Sequence, residues 1–207
     1  MSFLDPKRLI EDFGTIGLVL VIFIESGILP VPLPGDSLLF LGGFFASTKA
    51  GGDSPHLNLA AVVFGTLAAA MLGAQIGYWL GAKFGHRLFK PDAKLFKTKY
   101  LDEAEKYFSR RGSMSVVIAR YIPLVRTIIP IVAGATHMKQ RSFAIANVVG
   151  ALLWATAITL VGYFAGNAIG ADNIDKYLLP IIGVVILLSG IPPTLEYRRH
   201  KRERAAH

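Results

Sequence analysis

The chain has 207 residues, 53% of them hydrophobic and only 17% charged, with a mean hydropathy of +0.49. Soluble domains carry about 25% charged residues, so the composition describes one integral membrane domain rather than a soluble globule. The net charge of +8 comes largely from the stretch Lys83 to Arg111 and the tail Arg198-Arg199-His200-Lys201-Arg202, a pattern that suits the cytoplasmic face of a membrane and anionic lipid, not nucleic acid. The absence of cysteine excludes a disulfide framework, a thiolate metal site and a cysteine nucleophile.

In chain order, Met1-Ser2-Phe3-Leu4-Asp5-Pro6-Lys7-Arg8 lacks the charge, apolar run and cleavage site of a signal peptide. The apolar arms Phe13–Ile28 and Ser37–Ala46 then enclose Glu25-Ser26-Gly27-Ile28-Leu29-Pro30-Val31-Pro32-Leu33-Pro34-Gly35-Asp36. A spanning helix needs about 20 apolar residues at 1.5 Å each, and proline breaks helix hydrogen bonding, so this region (about 13–46) predicts a re-entrant helical hairpin. After the nearly neutral loop Ser47–His56, Leu57–Ala82 is long enough to cross the membrane. The stretch 83–112 is a basic linker in which Leu101, Ala104, Tyr107 and Phe108 recur at helical spacing, predicting an amphipathic helix over Lys94–Arg111 at the membrane surface. A second hairpin, 113–136, has arms Met114–Ile122 and Ile128–Ala135 around Arg120-Tyr121-Ile122-Pro123-Leu124-Val125-Arg126-Thr127-Ile128-Ile129-Pro130. Spans follow at Phe143–Gly166 and Tyr177–Leu195, and then the basic tail 196–207.

The plan repeats. Gly65, Gly77, Tyr78, Gly81 and Gly85 share a register with Gly150, Gly162, Tyr163, Gly166 and Gly170, while Pro32 and Gly43 match Pro123 and Gly134. The expected fold is therefore all-α: two repeats, each a re-entrant hairpin plus a transmembrane helix, followed by a final transmembrane helix. Positive charge marks the cytoplasmic side. The basic tail puts the C-terminus inside, which leaves Asp172, Asp175 and Lys176 outside and His137, Lys139 and Arg141 inside. The first hairpin then opens outward and the second inward, so the repeats are inverted, as in secondary transporters with a midplane site. The side of the N-terminus stays open, because it depends on whether Phe13–Ile28 spans in full. The glycines spaced by four allow close helix approach. Packing within the monomer is preferred over a homodimer interface.

A charge in the hydrocarbon core costs at least about 2.5–3.5 kcal/mol and survives mainly where it faces a cavity and a task. Glu25 and Asp36 lie in one break, and Arg120 and Arg126 in the other. Acids on one hairpin and arginines on the other point to a transporter for an anion. Asp36 has an alternative role as N-cap of the second arm. Ser26, Gln75 and Asn147 are candidate polar neighbours, each equally able to satisfy backbone groups, and Tyr121 suits a headgroup contact or ordinary packing. No enzyme is expected: the five histidines, His56, His86, His137, His200 and His207, fall in loops, at a span end or in the tail, and no metal-ligand spacing occurs. No cofactor is implied.

The run Gly112-Ser113-Met114-Ser115-Val116-Val117-Ile118-Ala119-Arg120-Tyr121-Ile122-Pro123-Leu124-Val125-Arg126-Thr127, followed by Ala133-Gly134, Met138, Phe143, Asn147, Gly150 and Trp154, closely resembles the DedA family, the bacterial branch of the SNARE-associated or VTT-domain proteins. Glu25 with Pro30 to Asp36 looks like that family's other signature, and the resemblance covers about Ile16 to Gly166. One departure is Ala74, where members often carry an acid. The resemblance implies movement of phospholipid-like molecules across the bacterial cytoplasmic membrane, with undecaprenyl phosphate the leading substrate. Phosphatidylethanolamine scrambling and proton-dependent export are the alternatives. It carries the family's functional charges onto Arg120 and Arg126 as phosphate-binding residues and onto Glu25 and Asp36 as proton-coupling residues. Arginine suits a phosphate because its planar guanidinium is always charged and donates two parallel hydrogen bonds.

Overall fold

The computed structural model describes residues 6–27, 35–47, 56–88, 108 and 112–169. The proline loop 28–34, most of the outer loop and basic linker, the span Tyr177–Leu195 and the basic tail lie outside the described residues. All regular structure among the described residues is helical: α1 (Pro6–Glu25), α2 (Gly35–Phe45), α3 (Leu59–Leu88), α4 (Met114–Ala119), α5 (Pro123–Ala135) and α6 (Gln140–Ile169).

Gly14, at φ 57° and ψ −142°, breaks α1 into two helical pieces. The piece 15–25 and the 11-residue α2 therefore each rise only about 16 Å, roughly half the hydrocarbon thickness. By contrast α3 and α6 have 30 residues each, and both are long and apolar enough to cross a membrane. Their exposed side chains are themselves apolar, among them Phe64, Leu72 and Trp79 on α3 and Ile145, Val148, Leu152 and Phe164 on α6. An exposed belt of this kind is what a lipid environment favours and water does not. The helix α6 runs past the expected boundaries at both ends and α3 at its C-terminal end, so Lys83 and Phe84 belong to the last turns of α3 rather than to a loop.

The hairpin helices exchange partners. First arms stay with their own span, α1 on α3 and α4 on α6, whereas second arms cross over: α5 packs mainly on α3, and α2 mainly on α6. Glycines allow this. A side chain on Gly134 would run into the backbone of Tyr78 and Ala82, and one on Gly81 into Ile131. In the other interface Gly43 lies on the backbone of Thr159, and Gly162 on that of Phe40. The two interfaces correspond when Gly81 is matched to Gly162 and Gly85 to Gly166. That is one helical turn away from the register read in the sequence, which matched Gly77 to Gly162. Glycines repeating every four residues look alike at either register, so only the contacts with α2 and α5 distinguish them.

The core divides in the same way. One apolar cluster joins α1, α2, α3 and α6 around Leu18, Ile22, Leu39, Phe40, Phe44 and Val62. The other joins α3, α4, α5 and α6 around Ala74, Tyr78, Val116, Ile131 and Phe143. Phe108, from the expected amphipathic helix, is buried in the second cluster. Tyr78 stacks on Phe143 with ring centroids 4.7 Å apart and donates its hydroxyl to the Met138 carbonyl, tying α3 to the α5–α6 turn.

Candidate functional site

The polar residues buried between the two clusters come from the breaks in both hairpins. Glu25 ends α1, and Asp36 lies in the first turn of α2. Closing the hairpin brings them together, with the Glu25 carboxylate directly against Gly35, where any Cβ would collide with it. Arg120 follows α4, and Arg126 sits one turn into α5, whose backbone starts at Pro123 after an extended Ile122. The second arm thus begins before Ile128, and the break is confined to the residues around 120–122. All four charges are buried, at 2% to 7% exposure.

Arg126 joins the two hairpins. Its Nη1 donates to Asp36 Oδ1 at 2.6 Å, and its Nη2 donates to Glu25 Oε1. The arrangement has an electrostatic reason. A helix carries partial positive charge at its N-terminus and negative charge at its C-terminus. Arg126 near the start of α5 and Glu25 at the end of α1 are each at the unfavourable end of their own helix. Facing each other, both are compensated; the positive start of α2 adds to the support of Glu25, and the Asp36 carboxylate carried there adds to that of Arg126.

Arg120 does not join this pairing. Arg120 Nη2 donates to the carbonyl of Ala70 at 3.1 Å and to Asn147 Oδ1 at 2.8 Å, both neutral oxygens. Asn147 is held in turn by its own donation to the Met71 carbonyl at 3.0 Å. Gly150 leaves the space through which the Arg120 chain passes: its Cδ would lie 3.1 Å from a Cβ there. Asp36 and Glu25 are both engaged by Arg126.

Trp154 completes the site and is the residue that charge reasoning missed. Its Nε1 donates to Asp36 Oδ1 at 2.9 Å, and its ring lies 4.6 Å from Cζ of Arg126 and 5.8 Å from Cζ of Arg120. Cations over an indole gain about 2 kcal/mol when desolvated. Asn147, Gly150 and Trp154 recur at three- and four-residue steps and so share one face of α6. That periodicity was the available signal. The site lies near mid-length of both long helices, with Ala70 and Met71 on α3 and Trp154 on α6.

The remaining candidates divide. Asn147 belongs to the site. Ser26 turns back to the Ile22 carbonyl at 2.6 Å and so closes the end of α1. Gln75 Nε2 is buried without a hydrogen-bond partner among the described residues. Tyr121 is half-buried, with no hydrogen bond to the four charges among the described residues. Asp36 is inside the first turn of α2 and spends its carboxylate on Arg126 and Trp154, not on capping. Ala74 is buried at the contact with Gly27, so the departure noted in the sequence falls at a packed helix crossing.

This is a membrane protein whose two helical hairpins meet in a buried charge cluster between two long apolar helices. Residues 33–164 match the VTT domain family model. The chain is 40% identical to Protein DedA of Escherichia coli (strain K12) over 190 residues, covering 91% of this chain and 84% of that protein. It is 36% identical to an uncharacterised membrane protein of Mycobacterium leprae (strain TN), covering 98% of this chain and 89% of the relative. It is also 30% identical to an alkaline phosphatase-like protein of Lactococcus lactis subsp. lactis (strain IL1403), covering 88% and 87%. No solved structure matches the chain. The chain belongs to the DedA/VTT-domain family.

Proposed function

We propose that this protein moves a phosphate-bearing lipid, foremost undecaprenyl phosphate, across the bacterial cytoplasmic membrane with coupling to protons. The observation that carries the reading is Arg120: a buried guanidinium that, among the described residues, bonds to neutral oxygens and no carboxylate, beside an arginine already joined to both carboxylates. A buried cation without a carboxylate is costly, and an incoming phosphate would relieve that cost by two charge-assisted hydrogen bonds. The polyprenyl tail stays in lipid, and only the headgroup needs the site.

In this reading the hairpins enter from opposite faces, and their breaks meet at the bilayer midplane. The acids supply the coupling. Glu25 Oε2 is buried and takes no bond from Arg126, which holds Oε1, so a proton has a place to bind. Protonation there loosens Arg126, which then joins Arg120 in gripping the phosphate. Loss of that proton on the cytoplasmic side restores the ion pair and expels the anion. The net direction is inward, from the proton-rich face. The phosphatase named for one relative has less support, because the described His56 and His137 are exposed while the charge cluster is buried.

The test is a structure determined with a polyprenyl phosphate bound. Phosphate density on Arg120 with the tail leaving laterally supports the reading. A glycerophospholipid in the same position replaces it with phospholipid scrambling, and lipid density confined to the outer surface contradicts it.

A further inference from the structure

Trp154 is 3% exposed and touches three of the four buried charges by two kinds of contact. Its N–H shares Asp36 Oδ1 with Arg126, and its ring stands within cation–π range of both arginines. Both guanidinium ions lie against the one indole that also bonds Asp36, so a rearrangement with one acid on each arginine is the competing pairing. That pairing would neutralise Arg120 and occupy it. What opposes it is visible at Asp36. Two donors, Arg126 Nη1 and the indole N–H, converge on one oxygen, and moving Asp36 to Arg120 would abandon both. The indole N–H would then be left as a buried unsatisfied donor. Meanwhile the ring face lends Arg120 part of the counter-charge that a carboxylate would otherwise supply.

We propose that Trp154 is a positioning residue that keeps Asp36 on Arg126 and so leaves Arg120 open to the phosphate of the transported lipid. The proposal rests on the transport reading above. Trp154 need not touch the phosphate. It acts by deciding which arginine the carboxylates occupy.

The experiment measures equilibrium binding of farnesyl monophosphate, a short polyprenyl phosphate, to the full-length protein in nanodiscs. Trp154→Phe keeps an aromatic ring but removes the N–H, together with part of the indole's bulk. Binding should weaken by about tenfold or more, the scale of one hydrogen bond to a charged group. Adding Asp36→Asn to Trp154→Phe should recover much of that loss, because a neutral amide no longer competes for Arg120. A merely structural tryptophan predicts that the double variant binds no better than the single one, and that outcome overturns the proposal. Equal binding by Trp154→Phe and wild type also overturns it while leaving the transport reading intact. No binding by the wild type contradicts the transport reading itself, and this inference with it. If Trp154→Phe does not fold, fluorescence decides. With exposed Trp79 changed to Phe, Trp154 is the sole tryptophan, since the chain has two. Its emission should change saturably with farnesyl monophosphate, and the change should vanish with Arg120→Ala. Unchanged emission at ligand concentrations that give measurable binding overturns the proposal.

Discussion

Asp36 and Arg126 stand 90 residues apart in the chain, and their side chains meet at 2.6 Å. They come from different hairpins, so this contact, with the parallel one to Glu25, holds the two hairpins together. Arg120 has no equivalent tie among the described residues. The two arginines should therefore respond differently to removal. Arg126→Ala leaves two carboxylates buried without their cation, which costs about 3–5 kcal/mol. It should lower the melting temperature in detergent sharply or abolish folded protein. Arg120→Ala removes an uncompensated cation and should fold with a much smaller loss, yet fail to bind polyprenyl phosphate. Paired thermal-melt and binding measurements on the two variants check this contrast.

Charge alone does not define the Arg126 role. Arg126→Lys keeps the positive charge but loses the fork that reaches Asp36 through one nitrogen and Glu25 through another. Lysine can serve one acid well and leaves the other short of a partner. Transport by this variant in proteoliposomes should fall at least about tenfold, the scale set by one lost charge-assisted hydrogen bond. Flux equal to wild type would mean that the fork is dispensable.

Much of this site was legible in the sequence because charges inside apolar segments have few explanations. Glu25, Asp36, Arg120 and Arg126 stood out for that reason, and proline placed them in breaks. The division between Arg126 and Arg120 was not legible. It depends on which face each side chain leaves its helix from, and on the neutral oxygens of Ala70 and Asn147, none of which carries a charge signal. Trp154 entered only as part of the family resemblance, with no role assigned to it. The long helices were legible from length and hydropathy. The repeat register was not, because glycines four apart give the same pattern when shifted by a turn. The exchange of second arms between spans is a tertiary fact with no local signature.

The glycine contacts give a stability prediction that does not depend on function. At Gly81 an added Cβ meets the backbone of Ile131, whereas at Gly65 it meets only the end of the Val19 side chain, 2.8 Å away. Backbone cannot yield as a side-chain methyl can. Gly81→Ala should destabilise by about 1–3 kcal/mol, the usual cost of overpacking, and Gly65→Ala by less. Thermostability of both variants by size-exclusion chromatography after heating tests the order.

Orientation can be tested directly, since the natural chain has no cysteine to remove. His56 and Lys139 are exposed at the starts of α3 and α6. If the hairpins enter from opposite faces, His56→Cys should react with an impermeant maleimide added outside intact cells, and Lys139→Cys only after the membrane is opened. Labelling of both from the same side would contradict the inverted plan.

The most direct test of the central claim is flux of labelled polyprenyl phosphate into proteoliposomes, with and without an imposed pH gradient. The account predicts that wild-type inward flux is faster when the exterior is acidic. Glu25→Gln should remove that dependence on pH, and Arg120→Ala should abolish flux. Equal rates in both directions, insensitive to the gradient and to both substitutions, would contradict a proton-coupled anion site in this cluster and leave passive scrambling in its place.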